Sequence, residues 1–245
     1  MKNLVTGGAG FIGSNLIESL IEDGEEVICI DDFCTGDKKN FAKWESNPQF
    51  KFIFHDVVNP IYQKVDRIWH LACPASTSHY QKNPLKTSLT NYMGTLNMLK
   101  LAKDLNAEIL FTSTSEIYGN PSCNEQCEKY MGSINPIGPR SCYGEGKRIA
   151  ETLCIDYFRS FNTKVKIARI FNVYGPKMRK DDGRLIPNLI TQVLTNKPLT
   201  IYGSGNQKRS FCFVDDLIIG LKKLMNSNYP YPVNFGNPTE EYSIL

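Results

Sequence analysis

The stretch "SCYGEGKRIAE" (141–151) sets Tyr143 four residues ahead of Lys147, so both side chains share one face if the segment is helical. A free phenol has a pKa of about 10, and making it a base near neutral pH takes roughly 4 kcal/mol of preferential phenolate stabilisation. A neighbouring ammonium is one source of it. Upstream, "FTSTSEIYG" (111–119) puts Thr114, Ser115 and Glu116 where a strand ends. A hydroxyl at that edge can hydrogen-bond both a substrate hydroxyl and the phenol. Tyr143 is then a candidate general base for a sugar-like hydroxyl, with Lys147 keeping it ionisable. YxxxK alone is more often a solvated helix face, so its meaning rests on the elements around it.

The first of these is "VTGGAGFIGSNL" (5–16), which follows a strand and opens a helix. Gly7, Gly10 and Gly13 have GxxGxxG spacing, which permits a tight turn, close approach of backbone to a pyrophosphate, and close helix–strand packing. The next strand ends in Asp31 and Asp32, about 20 residues further on, where a carboxylate holds ribose hydroxyls. An acid there repels a 2′-phosphate and favours NAD over NADP. Asp56, at the end of "HDV", falls near the adenine on the same reading.

Runs rich in β-branched residues at 3–6, 26–31, 51–57, 67–72, 108–113 and 164–170 predict strands, and 11–22, 85–105 and 145–161 predict helices. The strand runs are nearly continuous in apolar residues, as in parallel sheets covered on both faces. Strand–helix alternation predicts an α/β, doubly wound parallel sheet. After Ile170 the texture changes to a loop rich in Gly, Pro and charge. A helix then places Leu185, Ile186, Leu189, Ile190, Val193 and Leu194 on one face. The expected division is a cofactor domain at 1–171 and a smaller lobe at 172–245, with parts of 205–236 returning to the main sheet.

With 245 residues, 41% hydrophobic and 22% charged, the chain can bury a sizeable core. A net charge of +3 without a basic stripe excludes a nucleic-acid binder, and no apolar run is long enough to cross a bilayer. The opening residues lead directly into a strand and glycine loop, so no signal peptide is expected. Cysteines 29, 34, 73, 123, 127, 142, 154 and 212 show no CxxC pair, and only three His residues are present, so no metal site is expected. Cys123 and Cys127 are the only close pair, and Cys29 and Cys154 read as buried thiols. The expected setting is the reducing cytoplasm.

The elements "TGGAGFIGS", "STSEIYG" and "YGEGK" resemble the extended short-chain dehydrogenase/reductases that act on nucleotide sugars. "HDVVNPIY", "HLACPAS", "NPLKTSLTN", "NPIGPRSCYGEGKR", "ARIFNVYGP" and "YGSGNQKRSF" resemble its UDP-glucuronate decarboxylase (UDP-xylose synthase) branch, in order and over essentially the whole chain. The resemblance implies a Rossmann-like sheet and a substrate-binding lobe that is C-terminally truncated, because relatives continue beyond "EEYSIL". It implies an NAD-dependent, redox-neutral decarboxylation through a 4-keto sugar. Tyr143 is then the proton acceptor, Lys147 its partner and a ribose contact, and Thr114 the strand-end hydroxyl, with Ser115 and Glu116 beside it. The related dehydratases have Asp then Glu at the last two positions, so Ser115 favours decarboxylation. Arg209 would pair with the substrate carboxylate and Asn172 would contact the diphosphate, joined in the substrate set by Arg179 and Tyr202. The expected cofactor set is Gly7, Gly10, Phe11, Ile12, Gly13, Asp31, Asp32, Thr35, Gly36, Asp56, Val57, Leu71, Tyr143 and Lys147. Gly144, where relatives have aspartate, and Cys73, where they have serine, depart from the pattern. A homodimer through helices 85–105 and 145–161 is implied by resemblance alone. A nucleotide-sugar epimerase, a 4,6-dehydratase and a catalytically silent NAD-binding regulator remain as alternatives.

Overall fold

Each β-branched run singled out by the sequence forms a strand in the computed structural model, which describes residues 1–120 and 126–245. Along the chain come β1 (Lys2–Thr6), α1 (Phe11–Glu22), β2 (Glu26–Asp31), β3 (Phe50–Phe54), β4 (Arg67–His70), α2 (Thr77–Lys82), α3 (Pro84–Leu89) and α4 (Thr95–Leu105). They continue with β5 (Glu108–Thr114), α5 (Ser141–Phe161), β6 (Val165–Ile170), β7 (Val173–Tyr174), α6 (Leu185–Leu194) and β8 (Lys208–Arg209). The last are β9 (Cys212–Phe213), α7 (Val214–Met225), β10 (Pro232–Phe235) and β11 (Tyr242–Ser243).

One seven-stranded sheet runs in the order β10-β6-β5-β4-β1-β2-β3 with every pairing parallel. The order reverses direction between β1 and β4, and a doubly wound sheet opens a crevice at such a point, outside the carboxyl ends of its strands. Two apolar layers cover the faces. One joins α1 and α7 through Leu16, Leu20, Leu217 and Leu221, and the other joins α4 and α5 through Met98, Leu99, Ala150 and Cys154. Cys29 and Cys154 are buried thiols, while Cys123 lies outside the described residues. Among the described residues, no helix is long and apolar enough to cross a membrane.

Several boundaries differ from the sequence reading, and packing explains them. The stretch expected as a single helix over 85–105 is α3, a π turn at Thr90–Gly94, and α4. Pro84 opens it, and the Asn83 side chain accepts from Lys86 N at 3.1 Å. At the π turn Gly94 abuts Val57, where a Cβ would come within 2.8 Å of Val57 Cγ2. Helix α5 begins at Ser141, not at 145, even though Gly144 and Gly146 lower its propensity. Gly146 is packed so closely on Asn91 that a Cβ would stand 2.8 Å from Asn91 Nδ2.

The late segment divides between two places. Helix α7 packs on α1, with Lys222 Nζ donating to Ser19 Oγ at 2.9 Å, and β10 extends the sheet beside β6. Helix α6 does not bury the apolar face expected of it: Ile190, Val193 and Leu194 are exposed.

His70, at the end of β4, is wholly enclosed, its ring nitrogens 2.8 Å from Thr6 Oγ1 and 3.2 Å from Thr95 Oγ1. Burial, and secondarily the nearby Lys147 charge, push its pKa down from 6.5 to about 3. Between those values the unfolded chain binds the proton and the folded chain does not, so this group's contribution to stability falls as pH drops from 6.5 toward 3. We expect urea unfolding to show a loss approaching ~1.4 kcal/mol per pH unit in that window. His70→Gln should flatten the slope even though it lowers stability at pH 7.

Candidate active site

The chain crosses from β1 into α1 by a turn that only glycine can make. Gly7 has φ +70°, and a Cβ there would stand 2.8 Å from Ala72 N. A Cβ on Gly13 would stand 2.3 Å from the Gly7 carbonyl oxygen. Gly10 precedes α1, and no side chain caps the helix, so its first-turn N–H groups face the crevice. An uncapped N-terminus with bare backbone around it is what a pyrophosphate needs.

A cavity of about 520 Å³ runs from this loop along the carboxyl ends of the strands. Gly7, Gly10, Phe11, Ile12, Gly13, Asp31, Asp32, Thr35, Asp56, Val57 and Leu71 line one part of it. Asp31 Oδ2 accepts from Ala9 N at 3.0 Å and Oδ1 from Phe33 N at 2.8 Å, so this carboxylate braces the glycine loop as well as facing the groove. Gly36, expected in the cofactor set, is not part of the lining. It packs behind the loop, where a Cβ would stand 2.7 Å from Ala9 Cβ and 2.9 Å from Asp31 Oδ1. Its smallness leaves room for the Asp31 brace.

At the other end lie Thr114, Ser115, Glu116, Tyr143, Lys147, Asn172, Tyr202 and Arg209, whereas Arg179, expected with them, lies beside Thr35, its Nη1 donating to the Thr35 carbonyl at 3.4 Å. Tyr143 and Lys147 are 6% and 3% exposed. Tyr80 stacks on Tyr143, ring centroids 5.0 Å apart and planes 1° from parallel. Lys147 Nζ donates to the Thr112 carbonyl at 2.8 Å and lies 4.7 Å from the centre of the Phe111 ring. Thr114 Oγ1 accepts from Glu116 N at 3.2 Å, which fixes the hydroxyl at the strand end. Asn172 Nδ2 donates to the Ser210 carbonyl at 3.3 Å, and Arg209 Nη1 to the Lys208 carbonyl at 2.7 Å. Arg179 forms an ion pair with Asp181 at 2.8 Å, and Tyr202 stands exposed at the mouth.

Burial pushes the Tyr143 phenol above its ordinary value; the Thr114 hydroxyl and Arg184 pull the other way, and Lys147 is not among the leading influences. The ammonium is engaged with the Thr112 carbonyl, and the low polarity that would amplify its effect also penalises phenolate directly. Burial pushes Glu116 up as well, against Arg140 and then Arg209.

Several groups lining the cavity were not anticipated, four of them charged or titratable and close to the expected residues. Lys86 bridges Asp32 at 3.0 Å and Asp56, tying α3 to the ends of β2 and β3. Arg140 lies beside Glu116, and Arg184, paired with Asp182, lies near Tyr143. His79 sits on α2 at the cavity wall. Lys86 stands inside "NPLKT" and Arg140 inside "GPRSCYG", but nothing in their spacing marks them as facing the groove. The two departures in sequence also find places. A Cβ on Gly144 would stand 2.7 Å from Ile134 Cδ1, and Cys73 Sγ donates to the Pro74 carbonyl at 3.3 Å.

A family model described as NAD dependent epimerase/dehydratase family matches residues 3–235. The chain belongs to that family. UDP-glucuronic acid decarboxylase 1 of Arabidopsis thaliana is 56% identical over 98% of this chain and 55% of its own length. UDP-glucuronic acid decarboxylase 1 of Xenopus tropicalis is 53% identical over 99% of this chain and 57% of its own. The chain therefore spans little more than half the length of these relatives. The structure of UDP-glucuronic acid 4-epimerase from Bacillus cereus, in complex with UDP-glucuronic acid and NAD, superposes with a TM-score of 0.85 at 33% identity, covering 100% of this chain and 80% of that one.

NAD is the cofactor of this family, and the residues present fit it: an uncapped helix N-terminus, a glycine turn without room for a Cβ, and carboxylates at the ends of β2 and β3. Gly13→Ala forces a methyl group onto the Gly7 carbonyl and should open this turn. Titration with NAD, followed by protein fluorescence, is expected to show at least a tenfold weaker dissociation constant, with a melting temperature lower by several degrees.

Proposed function

We propose that the chain carries the NAD-dependent, redox-neutral decarboxylation of UDP-glucuronate to UDP-xylose. The observation that supports it most is the buried constellation at the junction of β5 and α5: the Tyr143 phenol beside the Thr114 hydroxyl, with Glu116 nearby under the influence of two arginines. Identity of 56% to a UDP-glucuronic acid decarboxylase supports the choice of reaction within the family.

In this reading Tyr143 takes the proton from the sugar 4-hydroxyl, which Thr114 orients. Bound NAD supplies the two-electron oxidation at the same carbon and its later reversal. The 4-ketone lies β to the carboxylate, so carbon dioxide leaves to an enolate and not to a bare carbanion. Glu116, raised by burial, holds a proton for delivery toward C5. Arg140 and Arg209, both acting on Glu116, supply positive charge for the substrate carboxylate. Lys147 holds the helix face of the phenol close to Thr112 and supplies a fixed cation beneath it.

Exposed Leu85, Leu89, Tyr92 and Ile149 on α3, the π turn and α5 support a homodimer through these helices, which light scattering tests. The seven described cysteines are all free thiols, in keeping with a cytoplasmic setting.

The test is purified protein with UDP-glucuronate and NAD, followed for carbon dioxide and UDP-xylose by gas release and NMR. Tyr143→Phe should lower turnover by about 10²–10⁴-fold while NAD still binds. A C4-epimerised product without carbon dioxide would make the chain an epimerase, and NAD binding without turnover would make it a regulator.

A further inference from the structure

Lys147 is a cation with very little to balance it. It is 3% exposed, has one hydrogen-bond acceptor, the Thr112 carbonyl, and forms no ion pair among the described residues. Burial pushes its ammonium below the ordinary lysine value, while Cys73, Cys154 and Glu151 oppose that shift. The groups that face it come from three directions. From β4 and the loop after it come His70 and Cys73, from β5 Phe111 and Thr112, and from its own helix Tyr143, Glu151 and Cys154.

Most of these are neutral at working pH. Burial pushes the Cys73 and Cys154 thiols and the Tyr143 phenol up, and holds the His70 imidazole deprotonated down to about pH 3. That leaves the Glu151 carboxylate, four residues along α5 and on the same face, together with the Arg169 guanidinium of β6 that is paired with it.

Glu151 is itself firmly seated. Its Oε1 accepts from Ser113 Oγ at 2.5 Å and Arg169 Nε at 3.0 Å, and its Oε2 accepts from Arg169 Nη2 at 2.8 Å. Arg169 continues outward: Nη1 donates to Tyr118 OH at 2.9 Å, and Tyr118 OH donates to Asn234 Oδ1 at 2.7 Å. Ser113 stands between Thr112, the acceptor for Lys147, and Thr114, the hydroxyl beside the phenol. One carboxylate thus joins α5 to the part of β5 that carries the site, and to β6.

We propose that Glu151 is a positioning residue for the acid–base pair, clamping α5 to the end of β5 and holding a carboxylate on the Lys147 face of the helix as the counter-charge to its ammonium. This rests on the reading of Tyr143 and Lys147 as that pair, although the charge on Lys147 is measurable without any substrate. A bidentate guanidinium–carboxylate pair is rigid enough for the task. A buried pair of this kind also holds the fold together, so the test must read something that stability does not.

The experiment is a ¹³Cε-lysine NMR titration of the cofactor-free protein, with Lys147 assigned through Lys147→Met, comparing wild type with Glu151→Gln. The expected result is a Lys147 midpoint lower by about one pH unit, a tenfold change in its proton affinity. The basic limb of the kcat/KM profile for UDP-glucuronate should move down with it, and kcat should fall more than KM rises. Glu151→Asp, which keeps the charge, should restore the midpoint but not the full kcat. If Glu151→Gln does not fold, Glu151→Gln combined with Arg169→Gln leaves no buried charge unpaired; because a cation goes with the anion, the fall in the midpoint should be smaller, and an unmoved midpoint there means that Arg169 already neutralises Glu151 and overturns the counter-charge. An unmoved midpoint in a folded variant that still binds NAD overturns the proposal, whatever the melting temperature does. A wild-type protein that fails to decarboxylate UDP-glucuronate overturns the proposed function instead, and leaves the Lys147 titration standing as a separate result.

Discussion

Taking a phenol and an ammonium out of water one helical turn apart carries a large electrostatic cost, and the rest of the site is arranged around it. In water the two groups would be screened and almost inert toward each other. Buried at 6% and 3% exposure, Tyr143 and Lys147 respond to single hydrogen bonds and to single neighbouring charges. The direction of the response is not automatically useful, because enclosure by itself disfavours phenolate and ammonium alike. The chain counters with the Thr114 hydroxyl and Arg184 on one side and Glu151 on the other. Whatever positive charge a bound cofactor adds arrives in a cavity where it is weakly screened.

The parallel sheet makes this enclosure possible. Its inner strands are buried on both faces, so their carboxyl ends are the place where polar side chains can gather without disturbing either apolar layer. Between β1 and β4 the winding reverses and the crevice opens, with the glycine turn on one side and the end of β5 on the other. Lys86 draws Asp32 and Asp56 together across the ends of β2 and β3. Three carboxylates at neighbouring strand ends would repel one another, and the lysine from α3 offsets part of that repulsion.

Local patterns carried much of this in the sequence. Apolar runs gave the strands because burial on both faces leaves little freedom of composition, and GxxGxxG marked the turn because Gly7 and Gly13 have no room for a Cβ. What stayed hidden depended on partners distant in the chain. Gly36 reads like a groove residue, but it serves the Asp31 brace from behind. The apolar stripe of α6 implied burial, yet Ile190, Val193 and Leu194 face outward, since helical period says which residues share a face and not what covers it. Lys86, Arg140 and Arg184 lie in ordinary loop and helix-start contexts, and only the folded chain gathers them. The YxxxK spacing located the pair but not the sign of its energetics. That sign depends on Thr112 capturing the ammonium and on Tyr80 sealing the phenol.

Charge is segregated along the cavity in a way that its modest net value of +3 conceals. Acids collect at one end, where Asp31, Asp32 and Asp56 close the strands that follow the glycine turn. Arginines collect at the other, where Arg140, Arg184 and Arg209 surround Glu116 and Tyr143. A ligand with hydroxyls at one terminus and a carboxylate or phosphates at the other is oriented by such a field before any close contact forms. The arginine end must meet an anion without giving up a proton to it, and guanidinium groups keep their charge under burial that readily shifts an ammonium. Burial pushes the Glu116 carboxyl up against the pull of Arg140 and then Arg209. Admitting water to that corner would weaken the burial that opposes the two arginines.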